Sequence, residues 1–274
     1  TVTVIGSGAF HGSGITQLKI PERVKRLDEY VFEDCYNLTS ITLPEGLVSI
    51  GDNAFYSCGK LEEIYIPSTV EKIGCDCFND CNKLRSVIFE KNIQQETQLK
   101  QIGEGAFEDC TALKTIRLPY GLDKIESSMF RACHGMQGVI DIPDSVSKIE
   151  EKAFYNCYNL QAVVLPANIQ QIEQDAFEGT SYDFYLVVKE GTNAEKWVMQ
   201  TKQPYAYSVG GVIYNKREVV DDEDDEEDDE EDSGNNSVIP VIPGQIQNGN
   251  VQSTPNIQPT TFDKATTQEN ISMA

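Results

Sequence analysis

The sequence predicts a β-rich solenoid, with short parallel strands on one face and irregular or short helical returns on the other. Three features support this: a Phe-x-x-Cys repeat, an alternating apolar segment after it, and a proline that ends the segment. Successive repeat cysteines are separated by 23, 23, 29, 23 and 24 residues, and a fixed period in the twenties is typical of stacked repeats. The pairs are Phe32 and Cys35, Phe55 and Cys58, Phe78 and Cys81, Phe107 and Cys110, Phe130 and Cys133, and Phe154 and Cys157.

Each predicted strand is very short. Apolar and variable residues alternate, which is the pattern of a half-buried strand. A proline follows in most units and ends the pairing, because it has no N–H to donate and its ring fixes φ. The apolar pairs are Leu18 and Ile20, Ile41 and Leu43, Ile64 and Ile66, Val87 and Phe89, Ile116 and Leu118, Ile140 and Ile142, and Val163 and Leu165.

The segment after each proline has a different pattern. Its apolar spacing lengthens to three, as in Val70 and Ile73, which favours a loose turn or a helical return over a second strand. No unit can bury its apolar residues alone, so neighbouring units are expected to stack around one core. The stack should contain a column of phenylalanines: Phe10, Phe32, Phe55, Phe78, Phe107, Phe130, Phe154 and Phe177.

Two irregularities interrupt the period. Glu90 stands where a proline is expected and six extra residues precede the next phenylalanine, so residues 91–100 are expected to protrude as a longer loop. A one-residue excess near Gly138 predicts a bulge in the following strand, because glycine suits the backbone of a bulge.

The unit from Ala54 to Gly74 resembles the BspA-like leucine-rich repeat, also called the Treponema pallidum type. The shared pattern is I-P-x-x-V-x-x-I-G-x-x-A-F-x-x-C-x-x-L-x-x-I-x-L-P. The resemblance covers residues 2 to about 180 in eight units, and the segment from Val188 to Trp197 is similar to the closing segment that such arrays often carry. It implies a leucine-rich-repeat solenoid. It also implies a secreted or cell-surface protein of bacteria or parasitic protists, often an adhesin for host matrix proteins or other microbes.

Composition divides the chain into three expected parts: a repeat array over 1–182, a capping segment over 183–219, and a tail over 220–274. The tail is expected to be disordered, because an acidic and polar segment buries too little apolar surface to offset its chain entropy. Its acidic run, 221–232, supplies 12 of the 22 net negative charges. The run lacks the spaced ligands and turn glycine of an EF-hand, so a solvated spacer is favoured over a calcium site. Nucleic acid is an unfavourable partner because the chain has no basic stripe.

The six periodic cysteines occupy one structural position per unit. An even number of cysteines in a secreted chain usually suggests disulfides. Here the side chains are expected to point inward in parallel, so they are interpreted as small buried hydrophobes. Cys77 is expected in the core and Cys75 at the surface, and the Cys-x-Cys pair without a nearby histidine is a weak metal signal.

The sequence does not favour an enzyme. The two histidines are His11 and His134, and His134 adjoins a cysteine that the repeat assigns to the core. A catalytic base must approach its thiol in a cleft, so this adjacency is interpreted as incidental. Residues 6–8 lack the spacing and the lysine of a phosphate loop. No catalytic residue, cofactor or metal site is predicted.

The open sheet suggests a surface that binds another protein. The repeat fixes the inward residues and leaves the outward ones variable. The outward row is Lys19, Thr42, Tyr65, Ile88, Arg117, Asp141 and Val164, and a flanking row is Gln17, Ser40, Glu63, Ser86, Thr115 and Ala162. Tyr65, Ile88 and Arg117 are expected to be adjacent, and such side chains are enriched at interface centres. An ordinary solvated face is the alternative interpretation.

Two functions stay open from the sequence. The first is a non-catalytic, monomeric protein-binding module of adhesin type, located outside the cell or at its surface. The second is a structural spacer or stalk attached to another domain, and a weaker third is an array appended to an enzyme elsewhere in a longer chain. No stretch of about 18 apolar residues indicates membrane insertion. The start at Thr1 fits a processed or an excised chain.

Overall fold

The computed structural model describes residues 2–90, 97–209 and 212–217. These residues form short strands and one helix: β1 (Val4–Ile5), β2 (Gln17–Lys19), β3 (Arg26–Leu27), β4 (Ser40–Thr42), β5 (Ser49–Ile50), β6 (Glu63–Ile66), β7 (Lys72–Ile73), β8 (Ser86–Phe89), β9 (Gln101–Ile102), β10 (Lys124–Ile125), β11 (Gly138–Asp141), β12 (Lys148–Ile149), β13 (Leu160–Val164), β14 (Gln171–Ile172), β15 (Tyr185–Val188), α1 (Asn193–Thr201), β16 (Tyr205–Val209) and β17 (Val212–Arg217). The expected parallel-strand solenoid is confirmed. The predicted tail over 220–274 lies outside the described residues.

The predicted strands form what we call the main ladder. Its parallel pairs are β2 with β4, β6 with β8, and β11 with β13, which β15 and β16 extend; β17 adds an antiparallel edge. The pairing is in register from coil to coil, where a coil is one turn of the solenoid and is numbered from the coil of Phe10. In coil 5 the predicted strand at Ile116 and Leu118 is not formed, although both side chains are buried.

The return segments contain strands that the sequence did not predict. After a turn, each return ends in two residues that pair in parallel with the next return, giving the orders β1-β3-β5-β7-β9 and β10-β12-β14. We call this set the return ladder. The expectation of a loose turn without a second strand was therefore wrong in this detail, because two residues are too few to show an alternating pattern.

A third set of bonds, the turn ladder, runs beside the phenylalanines. In coils 1–6 the N–H of the column phenylalanine and of the residues two before and two after it donates to a carbonyl of the next coil, as in Phe55 N–H to the Cys77 carbonyl at 2.8 Å. The two flanking residues have positive φ in nearly every coil, for example Asn53 at 55° and Ser57 at 56°. These left-handed turns point the amides along the solenoid axis.

The core is one continuous cluster built around the predicted phenylalanine column. Neighbouring rings from Phe10 to Phe177 stack with centroids 5.2–5.6 Å apart. Phe184, which the repeat pattern did not include, continues the column at 5.3 Å from Phe177. Stacked aromatic pairs contribute roughly 0.5–1.5 kcal/mol beyond area burial, so the column also fixes the register of the coils.

The two sequence irregularities have different outcomes. The predicted bulge is confirmed, since the register between β11 and β13 shifts after Gly138, whose φ is 73°. Residues 91–96 of the predicted loop lie outside the described part. The remainder, 97–100, does not protrude: the N–H groups of Gln98 and Lys100 donate to Ser68 and Glu71 of the previous coil.

The chain after the last repeat packs onto the end of the array. Helix α1 begins at the N-cap Thr192, whose side chain accepts the Glu195 N–H, and it buries Ala194 and Val198. Strand β15 precedes the helix, and β16 pairs with β15 on its return. The last coil is thereby covered by main-chain pairing and by apolar side chains.

Candidate protein-binding surface

The main ladder places the predicted outward row on the surface of the array. Five of its seven residues are exposed, whereas Ile88 and Val164 are half-buried. The register makes direct neighbours of Lys19 and Thr42, of Tyr65 and Ile88, and of Asp141 and Val164. Among the strand pairs of the described residues none includes Arg117, because coil 5 forms no main-ladder strand. The role of these seven residues in binding remains a prediction.

Tyr65 is the outward side chain best suited to an interface centre. It is 47% exposed beside the half-buried Ile88. A hydrogen bond with the Glu63 side chain, followed by partial burial, raises the pKa of the Tyr65 hydroxyl. Tyr65 thus presents an aromatic face and a neutral hydroxyl group.

The surface is electrostatically mixed around coils 5 and 6. Partial burial and the nearby Asp144 carboxylate raise the pKa of Asp141, while the positive charge of Arg117 acts in the opposite direction. Arg117 is therefore close enough to Asp141 to influence its charge, despite the missing strand. At the other end Lys19 pairs with Glu22 at 3.1 Å, and such an exposed pair contributes little to stability.

The C-terminal end of the surface is apolar, which the repeat pattern did not predict. Ala162, Val187, Ala206 and Ile213 form a second buried cluster, with Val164 among the side chains packed against it. The prediction that Ala162 belongs to an open flanking row was wrong, since this residue is fully buried. The available signal was the consecutive apolar run around Val163 and Val164, because strands covered on both faces lose their alternation.

Ion pairs line the return ladder in the C-terminal half. Lys124 contacts Glu126 at 3.0 Å and Glu150 of the next coil at 3.7 Å, and Lys148 repeats this arrangement with Glu150 and Glu173. The hydrogen bond to Glu126 is the main cause that raises the pKa of Lys124. This edge is a charge network between coils, with its cations already paired.

The repeat cysteines are buried, as expected, and they have a specific partner. Each Sγ donates to the carbonyl of the phenylalanine one coil earlier, as in Cys133 to Phe107 at 3.0 Å. Burial raises the pKa of the Cys133 thiol well above its ordinary value. Cys77 is buried and Cys75 exposed, both as predicted.

The described residues contain no group of three or more His, Cys, Asp or Glu arranged to hold a metal. His134 stacks on Tyr158 at 4.8 Å, whereas the neighbouring Cys133 thiol is directed to the Phe107 carbonyl. A groove of about 660 Å³ beside α1 is lined mainly by carboxylates and by Trp197. In the described part of the chain, no helix is both long and apolar enough to cross a membrane.

The in-register ladders and the phenylalanine column define a repeat protein of the parallel β-solenoid class. More specifically, the chain belongs to the BspA-type leucine-rich repeat family, whose model matches residues 3–98 and 91–199 in six copies. The resemblance seen in the sequence is thus confirmed. No match is found among curated proteins.

Three solved structures are similar to the chain. TpLRR, the leucine-rich repeat protein of T. pallidum, is 30% identical with a TM-score of 0.53, over 58% of this chain and 72% of TpLRR. A leucine-rich repeat protein of Eubacterium ventriosum is 29% identical with a TM-score of 0.56, over 65% of this chain and 46% of that one. A leucine-rich repeat protein of Bacteroides ovatus is 22% identical with a TM-score of 0.57, over 75% of this chain and 57% of that one. At this identity the likeness shows a shared fold only. The chain thus spans only about half of the last two proteins.

Proposed function

We propose that this chain is a non-catalytic protein-binding module that uses the outward face of its main ladder. The observation that carries the proposal is the placement of Tyr65, 47% exposed, directly beside the half-buried Ile88 on a surface supported by a continuous core. Exposed aromatic and aliphatic groups on a fixed backbone lose little conformational entropy on binding. Membership of a leucine-rich repeat family supports this proposal, because such arrays present extended binding surfaces.

The finer proposal is an adhesin-type protein, extracellular or at the cell surface, that binds host or microbial macromolecules as a monomer. The resemblance of the repeat to such proteins motivates this location and partner class. The domain division belongs to the same proposal: residues 1–182 present the surface, 183–219 cap the array, and 220–274 connect or space it. The cover that β15, α1 and β16 give to the last coil supports the capping role.

The test measures binding of the purified chain to a panel of immobilised host matrix proteins and intact bacterial cells by surface plasmon resonance. Tyr65→Ala combined with Arg117→Ala should weaken binding by at least about tenfold, as expected for a truncated hot spot. Tyr120→Ala is the matched control, because Tyr120 is 74% exposed but belongs to the turn after Pro119 and not to the outward row. The control should bind as the wild type does.

Two outcomes would contradict the proposal. Unchanged binding of the double variant would exclude the Tyr65 and Arg117 region as the contact surface. If the wild-type chain bound nothing in the panel, the result would favour the structural spacer. Circular dichroism of each variant separates loss of binding from loss of fold.

A further inference from the structure

The main ladder is interrupted on both sides of coil 5. In the described residues, no backbone hydrogen bond joins β8 to residues 115–118, and one bond, from Gln137 N–H to the Lys114 carbonyl, links this part of coil 5 to coil 6. The β4 and β6 strands of coils 2 and 3 also belong to separate sheets. There, however, the return ladder is continuous, since β5 pairs with β7.

The return ladder breaks between coils 4 and 5 as well. Strand β9 ends one return sheet and β10 begins the next. Elsewhere the residue after each return strand donates across the junction, as Gly103 does to Ile73 at 3.0 Å and Glu150 does to Ile125 at 2.9 Å. Among the described bonds, the equivalent one from Glu126 to Ile102 is missing. The junction between coils 4 and 5 therefore lacks both β ladders.

The turn after Pro119 is also irregular. In the other proline turns the residue three after the proline donates to its carbonyl, as Val70 does to Pro67 at 3.0 Å. Leu122 makes no such bond among those of the described residues, and Gly121 has a φ of 106° instead. A Cβ at Gly121 would lie 3.1 Å from the Leu99 carbonyl oxygen. The Gly121 backbone therefore lies close to the return of coil 4.

The turn ladder and the core cross this junction intact. Asp76, Phe78 and Asp80 donate to coil 5 at 2.8–2.9 Å. The Phe78 and Phe107 rings stack at 5.5 Å with planes 2° apart. The junction is consequently held along one edge and through its core, while the described residues of its two β faces share no backbone hydrogen bond.

We propose that the junction between coils 4 and 5 is a flexural joint, about which coils 1–4, ending with β9, and coils 5–8 move as two stiff blocks. The turn ladder forms the axis of bending, and the main and return ladders separate or approach on either side of it. Hydrogen bonds are directional, so paired strands resist relative movement of neighbouring coils, and among the described residues this resistance is missing at both β faces of the junction. The outward row is divided by this joint, with Tyr65 and Ile88 in one block and Asp141 and Val164 in the other.

The test places spin labels on the return ladder, which lies off the bending axis, in a Cys75→Ser background that removes the exposed native thiol. Arg26 and Gln171 occupy the position of Gln101 three coils earlier and three coils later, and all three residues are exposed. Gln101→Cys with Arg26→Cys gives a pair within one block, and Gln101→Cys with Gln171→Cys gives a pair across the joint. Pulsed dipolar electron paramagnetic resonance then measures both distance distributions on the full chain. The Cys75→Ser chain without an added cysteine confirms that the buried thiols take no label.

The distribution for the Gln101→Cys and Gln171→Cys pair should be at least about twofold broader than that for the Arg26→Cys and Gln101→Cys pair, because the return ladder is continuous over the span of the latter pair. Equal widths of the two distance distributions would contradict the proposed joint. The measurement needs no binding partner, so its outcome is independent of the proposed function. Circular dichroism and retained Trp197 fluorescence verify that each variant is folded.

Discussion

At the residue scale, the repeat cysteine is a hydrogen-bond donor within the core. Each buried Sγ lies 3.0–3.2 Å from a phenylalanine carbonyl of the preceding coil. That carbonyl also accepts a hydrogen bond from the N–H of the cysteine in its own coil. The Phe32 carbonyl, for example, accepts from the Cys35 N–H and from the Cys58 thiol. An alanine would leave space beside the ring column, and a larger residue would crowd it. Size and weak donor character together suit cysteine to this position.

The thiol column should make stability depend on alkaline pH. Burial raises the pKa of Cys157 from 9.0 to about 12. Between these values the unfolded chain releases a proton that the folded chain keeps, so the free energy of unfolding falls as pH rises. Well below pH 9 the thiol is protonated in both states, so its contribution to the free energy of unfolding is fully present. Between pH 8 and 10 one such thiol accounts for about 1.4 kcal/mol of loss.

Between pH 8 and pH 10 the free energy of unfolding of Cys157→Ala should therefore fall by about 1.4 kcal/mol less than that of the wild type. Urea unfolding followed by Trp197 fluorescence, with reductant present, measures the difference. Val146→Ala is the control, since it removes buried volume without a titrating group and should keep the wild-type pH dependence. A parallel pH dependence for Cys157→Ala and the wild type would mean that the thiol is not protected from ionisation.

At the element scale, the turn around each phenylalanine requires two left-handed residues. Asp, Asn and Gly fill most of these positions, because these residue types adopt a positive φ at a lower cost than others do. Ala132, with a φ of 57°, is an exception. Its N–H nevertheless donates to Tyr155 at 2.8 Å, so the turn ladder imposes this conformation on an unfavourable residue.

Ala132→Gly should raise the free energy of unfolding by about 0.5–1 kcal/mol. Relief of a left-handed alanine gains roughly 1–2 kcal/mol, and the extra freedom of glycine in the unfolded chain costs about 0.5–1 kcal/mol. Ala112→Gly is the matched control, because Ala112 is outside the set of positive-φ residues and should be destabilised instead. Urea titrations monitored by Trp197 fluorescence compare the two variants. A loss of stability in both would contradict the strain at Ala132.

The repeat pattern predicted the elements whose side chains alternate or recur. Phe55 and Cys58 are identifiable because each coil needs the same ring and the same small donor in its core. The return strands, such as β7, were not predicted because two paired residues leave no periodic signal. The irregular coil 5 was not predicted either, since its own sequence, including Pro119, follows the repeat.

The candidate surface was predictable only as a row of outward positions. Strand alternation identifies Tyr65 as outward, and the structure places it beside Ile88 as expected. The burial of Ala162 depends on β15, β16 and β17, which follow the array and have no counterpart in the repeat. The sequence of one unit carries no information on such contacts between distant elements.

At the scale of the whole molecule, each coil contacts mainly its two neighbours. The stability of such an array is approximately a sum of coil terms and nearest-neighbour terms. Continuous ladders make neighbouring coils unfold together, because losing one coil exposes the apolar face of the next. In the described part of the chain, the junction between coils 4 and 5 keeps the turn ladder and the ring stack but lacks both β ladders. It is therefore the weakest point of cooperativity.

Phe32→Ala should consequently destabilise residues 2–90 while leaving the C-terminal block folded. Truncation of a buried ring costs about 3–5 kcal/mol. Far-UV circular dichroism in urea should then show an early transition that the wild type lacks. The single tryptophan, Trp197, lies in the C-terminal block, and its fluorescence midpoint should stay at the wild-type value.

Phe154→Ala is the matched variant, because Phe154 is equally buried but lies in the C-terminal block. It should lower the Trp197 midpoint by the full cost of the lost ring, since α1 covers the end of this block. If Phe32→Ala lowered the Trp197 midpoint as much as Phe154→Ala does, all coils would unfold as one unit. The ring stack and the turn ladder would then be sufficient to transmit cooperativity across a junction without β pairing.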